Sequence, residues 1–317
     1  MPTLRQFEYL IAVAEEGHYG RAARKLGVTQ PTLSHQLARL EDRFGQSLLD
    51  RQAKGVALTP FGRTVVDRAR TILAQVADLH RLAAAAQGGL AGTLRLGVPP
   101  TLGPYLLPHL VPLLHKRYPD LKLYVRETQA RQLTDGLASG VFDLVLAPLP
   151  LRGPLVDSEM LFREPLFVVA APDHPLALRE RIDRADLVGQ QVLSLEPGHH
   201  LHEQVAHLCE EFGAELLRDY EGTSLDTLRQ MVGMGVGIAF LPALYVRSEI
   251  APRSDVAVLP LTRATPARTI GLAWRPGSSS RTAYADIAAL IRRVIAEGFS
   301  EMTVLGGQAL PDAAPAA

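Results

Sequence analysis

The sequence predicts an α/β protein: three short helices and a two-stranded hairpin, then one long helix, then two α/β lobes. Three observations carry that expectation. Apolar residues recur at helical spacing through the first 87 residues. From residue 92 the rhythm changes to strands alternating with helices, the pattern of a sheet covered by helices. The strand–helix sets between about 92 and 300 fall into two similar groups, as two Rossmann-like lobes of the periplasmic-binding-protein type require.

Leu4, Phe7, Leu10, Ile11 and Val13 share one face of a helix over residues 4–16, which Gly17 ends. A second helix over 20–26 turns Ala22, Ala23 and Leu26 inward, and Gly27-Val28 makes a tight turn. Thr29 caps a third helix, Pro31 sits in its first turn, and Leu33, Leu37 and Leu40 form its core face as far as about Phe44. Residues 47–59, SLLDRQAKGVALT, read as two short strands about a turn at Lys54-Gly55. After Pro60 a helix runs to about residue 87. Its Val65, Ala69, Ile72, Val76 and Leu79 make an apolar stripe suited to pairing with another helix. Gly88-Gly89 ends it and begins a hinge.

In the lobes, strands are expected at 93–98, 121–127, 142–150, 165–172, 190–197, 217–222, 235–242 and 268–276. Helices are expected at 105–118, 129–139, 199–212, 224–233 and 281–297, and a turn or short helix at 183–188. This alternation predicts a parallel sheet. The boundaries that follow are 1–59 for the winged unit, 60–89 for the linker helix and hinge, 90–303 for the two lobes and 304–317 for a small, Pro-rich disordered tail.

Composition narrows the function. The chain is 47% apolar and 21% charged with zero formal net charge, which excludes a globally basic nucleic-acid binder but not a local basic patch. Residues 1–65 hold nine basic and six acidic side chains, an excess of plus three. Cys209 is the one cysteine, so an intrachain disulfide is impossible. The N-terminal residues read as an amphipathic helix rather than a signal peptide, and no apolar run reaches the length of a membrane span. A cytoplasmic protein with no membrane partner is expected. No cofactor motif, G-x-S-x-G, H-E-x-x-H or P-loop appears at a strand–helix junction, so no enzyme is expected.

A winged helix-turn-helix puts its third helix into the major groove with the first turns facing base edges. Gln30, Pro31, Thr32, Ser34, His35 and Arg39 lie off the core face of that helix, and Arg51 and Lys54 on the wing can reach phosphates. On pattern alone a small three-helix bundle with a polar surface is the alternative. The run RQFEYLIAVAEEGHYGRAARKLGVTQPTLSHQLARLEDRFGQSLLDR, with ALTPFG after the wing, resembles the N-terminal domain of LysR-type transcription regulators over about sixty residues. The resemblance continues through the lobes. It implies a regulator that binds double-stranded promoter DNA, a small-molecule effector held between the lobes, and a homotetramer built as a dimer of dimers through the 60–87 helix.

Within that family, VPPTLGPYLLPHLVPLL, LSLEPGHHLHEQVAHLC, TSLDTLRQMVGMGVGIAFLPAL and RTIGLAWRPGS resemble the OxyR group of hydrogen-peroxide sensors. That resemblance implies a peroxidatic cysteine after Gly198-His199 and a resolving cysteine nine residues on. The first position holds His200, and the second is Cys209. An imidazole forms neither a sulfenic acid nor a disulfide. A threonine that the group places beside the peroxide is Ala130 here, whereas the one at the first strand end is kept as Thr101. The expectation is an OxyR-like scaffold answering to a small effector rather than to a peroxide-formed disulfide. A redox regulator acting through Cys209 alone is the alternative, and a binding protein or enzyme on the two-lobed domain a more remote one.

The strand ends and helix starts that face the cleft in this fold supply the effector candidates: Pro100, Thr101, Thr128, Gln129, Ala147, Pro148, His199, His200, His202, Thr223 and Ser224. Hydroxyls and free helix amides suit a carboxylate or other small anion, and capping of helices is the plainer use of the same residues. His199, Glu203 and His207 recur at i, i+4 and i+8, a spacing that can hold zinc but is also that of an ordinary polar helix. His200 can titrate near neutrality. Cys209 reads either as a reactive thiol or as a buried small apolar residue.

Overall fold

The computed structural model describes residues 1–52, 55–85, 92–151, 156–251, 255–262, 265–278 and 280–306. The expected hinge at 88–89, the wing turn at Lys54 and most of the expected tail lie outside them. Two compact units emerge, Met1–Ala86 with Ala138–Val141, and Gln87–Leu137 with Phe142–Ala317.

In the first unit, α1 (Leu4–Glu16) starts at Thr3, which accepts from the Gln6 amide in a capping box, and stops at Gly17 with φ +60°. Tyr9, Leu10, Ala12 and Val13 are its buried face. Leu4, expected on that face, is 42% exposed because it precedes the first turn that packs. α2 (Tyr19–Lys25) turns Ala22 and Ala23 into the core, and α3 (Gln30–Phe44) adds Leu33, Leu37 and Leu40. Buried Gln6 donates to the backbone and side chain of Gln36 at 3.2 Å, fixing α1 against α3. β1 (Leu49–Gln52) and β2 (Gly55–Leu58) form the antiparallel wing. The Glu41 carboxylate accepts the Leu48 and Leu49 amides at 2.7 and 3.1 Å, so α3 itself sets where the wing begins.

α4 (Pro60–Ala85) spans 26 residues, about 39 Å at 1.5 Å per residue. Its first turn lies so close to the wing that a Cβ on Gly62 would collide with the Leu48 carbonyl. Val65 and Ala69 of the predicted stripe are buried and Val76 is half-buried, whereas Ile72 and Leu79 are exposed, Leu79 at 66%.

The second unit is built on β3 (Gly92–Val98), α5 (Gly103–Arg117), β4 (Leu121–Glu127), α6 (Ala130–Ala138), β5 (Leu144–Leu149), β6 (Asp157–Ala170), β7 (Gln191–Leu195), α7 (His200–Phe212), β8 (Glu215–Gly222), α8 (Leu225–Gly233), β9 (Ile238–Pro242), α9 (Ala243–Tyr245), β10 (Ala257–Leu259), β11 (Ala267–Trp274), α10 (Arg281–Gly298) and β12 (Thr303–Val304). One 10-stranded sheet runs β4-β3-β5-β11-β6-β9-β7-β8, with β10 and β12 also on β6.

The expected parallel pairing holds inside each strand–helix set: β3 with β4 and β5, and β7 with β8 and β9. The sheet as a whole is mixed, because β11 returns antiparallel between β5 and β6, and β6 runs antiparallel to β9. β6 is the spine. Asp157–Pro165 pair with β11 in lobe I, and Leu166–Val169 pair with β9 in lobe II. Each lobe has its own core. Leu94, Leu96, Leu146, Trp274, Tyr284 and Ile291 anchor the first, and Val168, Leu193, Val205, Leu228, Phe240 and Tyr245 the second. Among the described residues no helix is long and apolar enough to cross a membrane.

Candidate functional site

Two places gather the sequence candidates, one in each unit. On α3, Thr29 caps the helix by accepting the Thr32 amide at 3.3 Å, and its hydroxyl meets that of Thr32 at 2.8 Å. Gln30, Pro31, Thr32, His35 and Arg39 are exposed and Ser34 is half-buried. Thr32, His35 and Arg39 recur at i, i+3 and i+7, one stripe turned away from Leu33, Leu37 and Leu40. The side chains of Gln30, Ser34, His35 and Arg39 make no hydrogen bond to other described residues, so their donors and acceptors are not engaged by them. Arg51 pairs in register with Val56 on the wing, and Lys54 lies outside the described residues.

The second place is a cavity of about 10 Å³ between the lobes of the second unit. That is close to the smallest space that holds one water molecule. From lobe I it is lined by Pro99 and Thr101 after β3, Gln129, Ala130 and Leu133 around the start of α6, and Ala147, Pro148 and Leu151 at the end of β5. From lobe II it is lined by His199 and His200. Six sequence candidates thus come together: Thr101, Gln129, Ala147, Pro148, His199 and His200. Pro100, Thr128, His202, Thr223 and Ser224 do not line it.

Three of those five have local duties that explain their residue types. Ser224 caps α8 by accepting the Thr227 amide at 3.2 Å. The Nδ1 of His202 meets the Leu195 carbonyl at 2.7 Å. Thr128 bonds the side chain of Gln132.

A polar seam runs beside the cavity. His199, 7% exposed, places Nε2 3.7 Å from the Glu196 carboxylate, and Gln129 donates to the same Glu196 oxygen at 3.4 Å across the lobes. Gly198, at φ +104°, lets the chain pass Gln129 where any Cβ would stand 3.0 Å from its amide oxygen. Behind the cavity wall, Arg268 donates to the Thr101 hydroxyl at 3.0 Å and to its carbonyl at 2.8 Å, and pairs with Glu164 at 2.8 Å. Sequence reading missed Arg268 and Glu164. They stand 104 residues apart, and only the β6–β11 register joins them.

Cys209 lies on α7, buried, nine residues beyond His200. Burial, helped by the neighbouring Glu210 charge, pushes its thiol up to about 11. No group of three or more His, Cys, Asp or Glu side chains placed to hold a metal ion occurs among the described residues, so His199, Glu203 and His207 do not converge as their spacing allowed.

Residues 4–63 match the family described as "Bacterial regulatory helix-turn-helix protein, lysR family", and residues 87–296 match the "LysR substrate binding domain". The chain belongs to the LysR family of transcriptional regulators. LysR-type relatives extend the match over almost its whole length. The DNA-binding transcriptional dual regulator OxyR of Escherichia coli is 44% identical over 289 residues, 91% of this chain and 94% of the relative. A hydrogen peroxide-inducible genes activator of Pectobacterium carotovorum subsp. carotovorum is 41% identical over 298 residues, 94% of this chain and 98% of the relative.

Among solved structures, a full-length OxyR variant from Pseudomonas aeruginosa is 36% identical with a TM-score of 0.76, covering 92% of this chain and 94% of its own. A hydrogen-peroxide-bound variant of Corynebacterium glutamicum OxyR is 32% identical with a TM-score of 0.65, covering 94% of each chain. The LysR-type assignment makes this chain a DNA-binding regulator on an OxyR-like scaffold, in a family that is not enzymatic.

Proposed function

We propose that this LysR-type regulator reads promoter DNA with α3 and the wing, and that a very small effector in the inter-lobe cavity sets its activity without a peroxide-formed intrachain disulfide. The observation that carries the signal half of this reading is the pair of residues on α7. His200 lines the cavity where the OxyR resemblance implies a peroxidatic thiol, and Cys209, the chain's one cysteine, is buried with its thiol held protonated. A cavity of about 10 Å³ admits about one water-sized group, so only an effector of very few heavy atoms approaches its size, and the hydrogen-peroxide-bound form of the Corynebacterium glutamicum relative supports a molecule that small. Thr101, Gln129 and His200 offer it hydrogen bonds in an otherwise largely apolar lining.

For the DNA half, the free side chains of α3 on a winged unit support base reading, and the uncovered Ile72 and Leu79 on α4 support pairing with a second copy. Two paired winged units reach successive major-groove faces, and a second pairing through the lobes completes a dimer of dimers. The protein acts in the cytoplasm. Control through Cys209 alone is disfavoured by the burial that keeps its thiol protonated.

The test uses a duplex that the purified protein selects from a random pool. Affinity and footprint on it are expected to be the same before and after treatment with hydrogen peroxide. A peroxide-dependent change that disappears in Cys209→Ser would establish the thiol route instead. Native mass spectrometry of the freshly purified protein is expected to show a retained small molecule.

A further inference from the structure

We propose that the buried Glu164–Arg268 pair is a relay that couples the wall of the inter-lobe cavity to the hinge between the lobes. Its regulatory meaning rests on reading the cavity as the effector site.

Two chain segments cross between the lobes at one point. β6 pairs with β11 up to Pro165 and with β9 from Leu166 onward, and β11 enters lobe I at Ala267. The crossings touch: the Leu166 amide donates to the Pro266 carbonyl at 2.7 Å, Ala267 faces Pro165, and Arg268 faces Glu164. The ion pair therefore sits on the two hinge strands themselves, with both side chains 0% exposed.

Each member has a second attachment, and the two point to different places. The other Glu164 oxygen accepts the Leu244 amide at 3.0 Å. Leu244 belongs to α9, which straddles the seam: its side chain packs in the lobe I core, while the next residue, Tyr245, packs in the lobe II core. The remaining guanidinium nitrogens hold the Thr101 hydroxyl and carbonyl, and Thr101 lines the cavity.

A buried charge cannot release a partner without leaving that group desolvated and unpaired. The planar guanidinium moves as one rigid fork. An occupant that displaces Thr101 therefore moves Arg268, Glu164 and the start of α9 together. Stability alone does not call for such a pair, because apolar residues of similar volume serve a core at least as well.

The Leu244 amide reports the far end of the relay directly. In full-length protein, Thr101→Val removes the hydroxyl at the near end while keeping its shape. Amide exchange at Leu244 is expected to quicken by tenfold or more, with Thr101→Ser restoring the parent rate and the amide of Leu193, inside the lobe II core, unchanged. Arg268→Lys keeps the charge but loses the fork, and is expected to repeat the effect. Unchanged protection at Leu244 in both variants overturns the relay, as does an acceleration that spreads equally to Leu193. These measurements need neither DNA nor ligand, so their failure is separate from failure of the effector reading, which the DNA-binding response tests.

Discussion

Arg39 and Cys209 show at the residue scale how environment decides what a side chain can do. Arg39 stands exposed on α3 with its donors unused by the described protein. Arg39→Ala is expected to weaken binding to the selected duplex by about 1–3 kcal/mol with little effect on non-specific DNA, read by fluorescence anisotropy at one fixed salt concentration. Equal losses on both duplexes would make Arg39 a phosphate contact. Cys209 is the opposite case. Burial raises its thiol from 9.0 to about 11, so the reactive thiolate is scarce at neutral pH and grows only as the pH climbs toward that value. Alkylation of the folded protein is expected to be slow at pH 8 and to rise through pH 10, whereas denatured protein reacts quickly at pH 8. Fast labelling of the folded protein at pH 8 would refute the burial argument. Single residues were legible where one element decides their role, as with Thr29 and Leu33. Arg268 was not, because its partners, Glu164 and Thr101, come from two stretches of chain more than 100 residues away.

Elements with a strong period and a cap were the ones sequence could place. α1 and α3 have a threonine cap, an apolar stripe and a left-handed glycine at the end, and local chemistry alone specifies each. Thr29→Ala removes the hydroxyl that accepts the Thr32 amide and steadies the first turn of α3. It is expected to cost about 1 kcal/mol in chemical denaturation, with Thr29→Ser near the parent value. No change for the alanine variant would show that the cap is dispensable. β6 was harder. Its second half, Leu166–Ala170, is an apolar run that reads as a strand, but Asp157–Glu164 carries charges on a mixed face and becomes a strand only by pairing with β11. β10 and β12, three and two residues long, exist only as additions to β6. The parallel pairing expected from the alternation holds within each strand–helix set and stops at β11 for the same reason: strand direction there is set by where the chain returns, and that depends on long-range pairing.

At the scale of the whole molecule, the cavity and the helix stripe depend on surfaces that no single segment contains. The cavity walls come from the β3–α5 and β4–α6 junctions, the end of β5 and the start of α7, so six of the eleven sequence candidates met there while Ser224 caps α8 and His202 and Thr128 make local hydrogen bonds elsewhere. The stripe on α4 poses the complementary question, since Val65 and Ala69 are covered within the chain while Ile72 and Leu79 are left to water. A helix about 39 Å long with large apolar side chains at i and i+7 is stable in water alone only at the expense of that exposed surface. Pairing with a second copy removes it. Leu79→Glu combined with Ile72→Glu puts two like charges on the seam and is expected to yield smaller species in gel filtration while leaving the fold of the winged unit intact by circular dichroism. Separating the winged units also removes the high local concentration that one bound unit gives the other. The double variant is therefore expected to lose affinity for a duplex with two half-sites far more than for one with a single half-site. If the variant keeps the parent's mass and its preference for paired half-sites, the assembly is held by some other face and the stripe has a different partner.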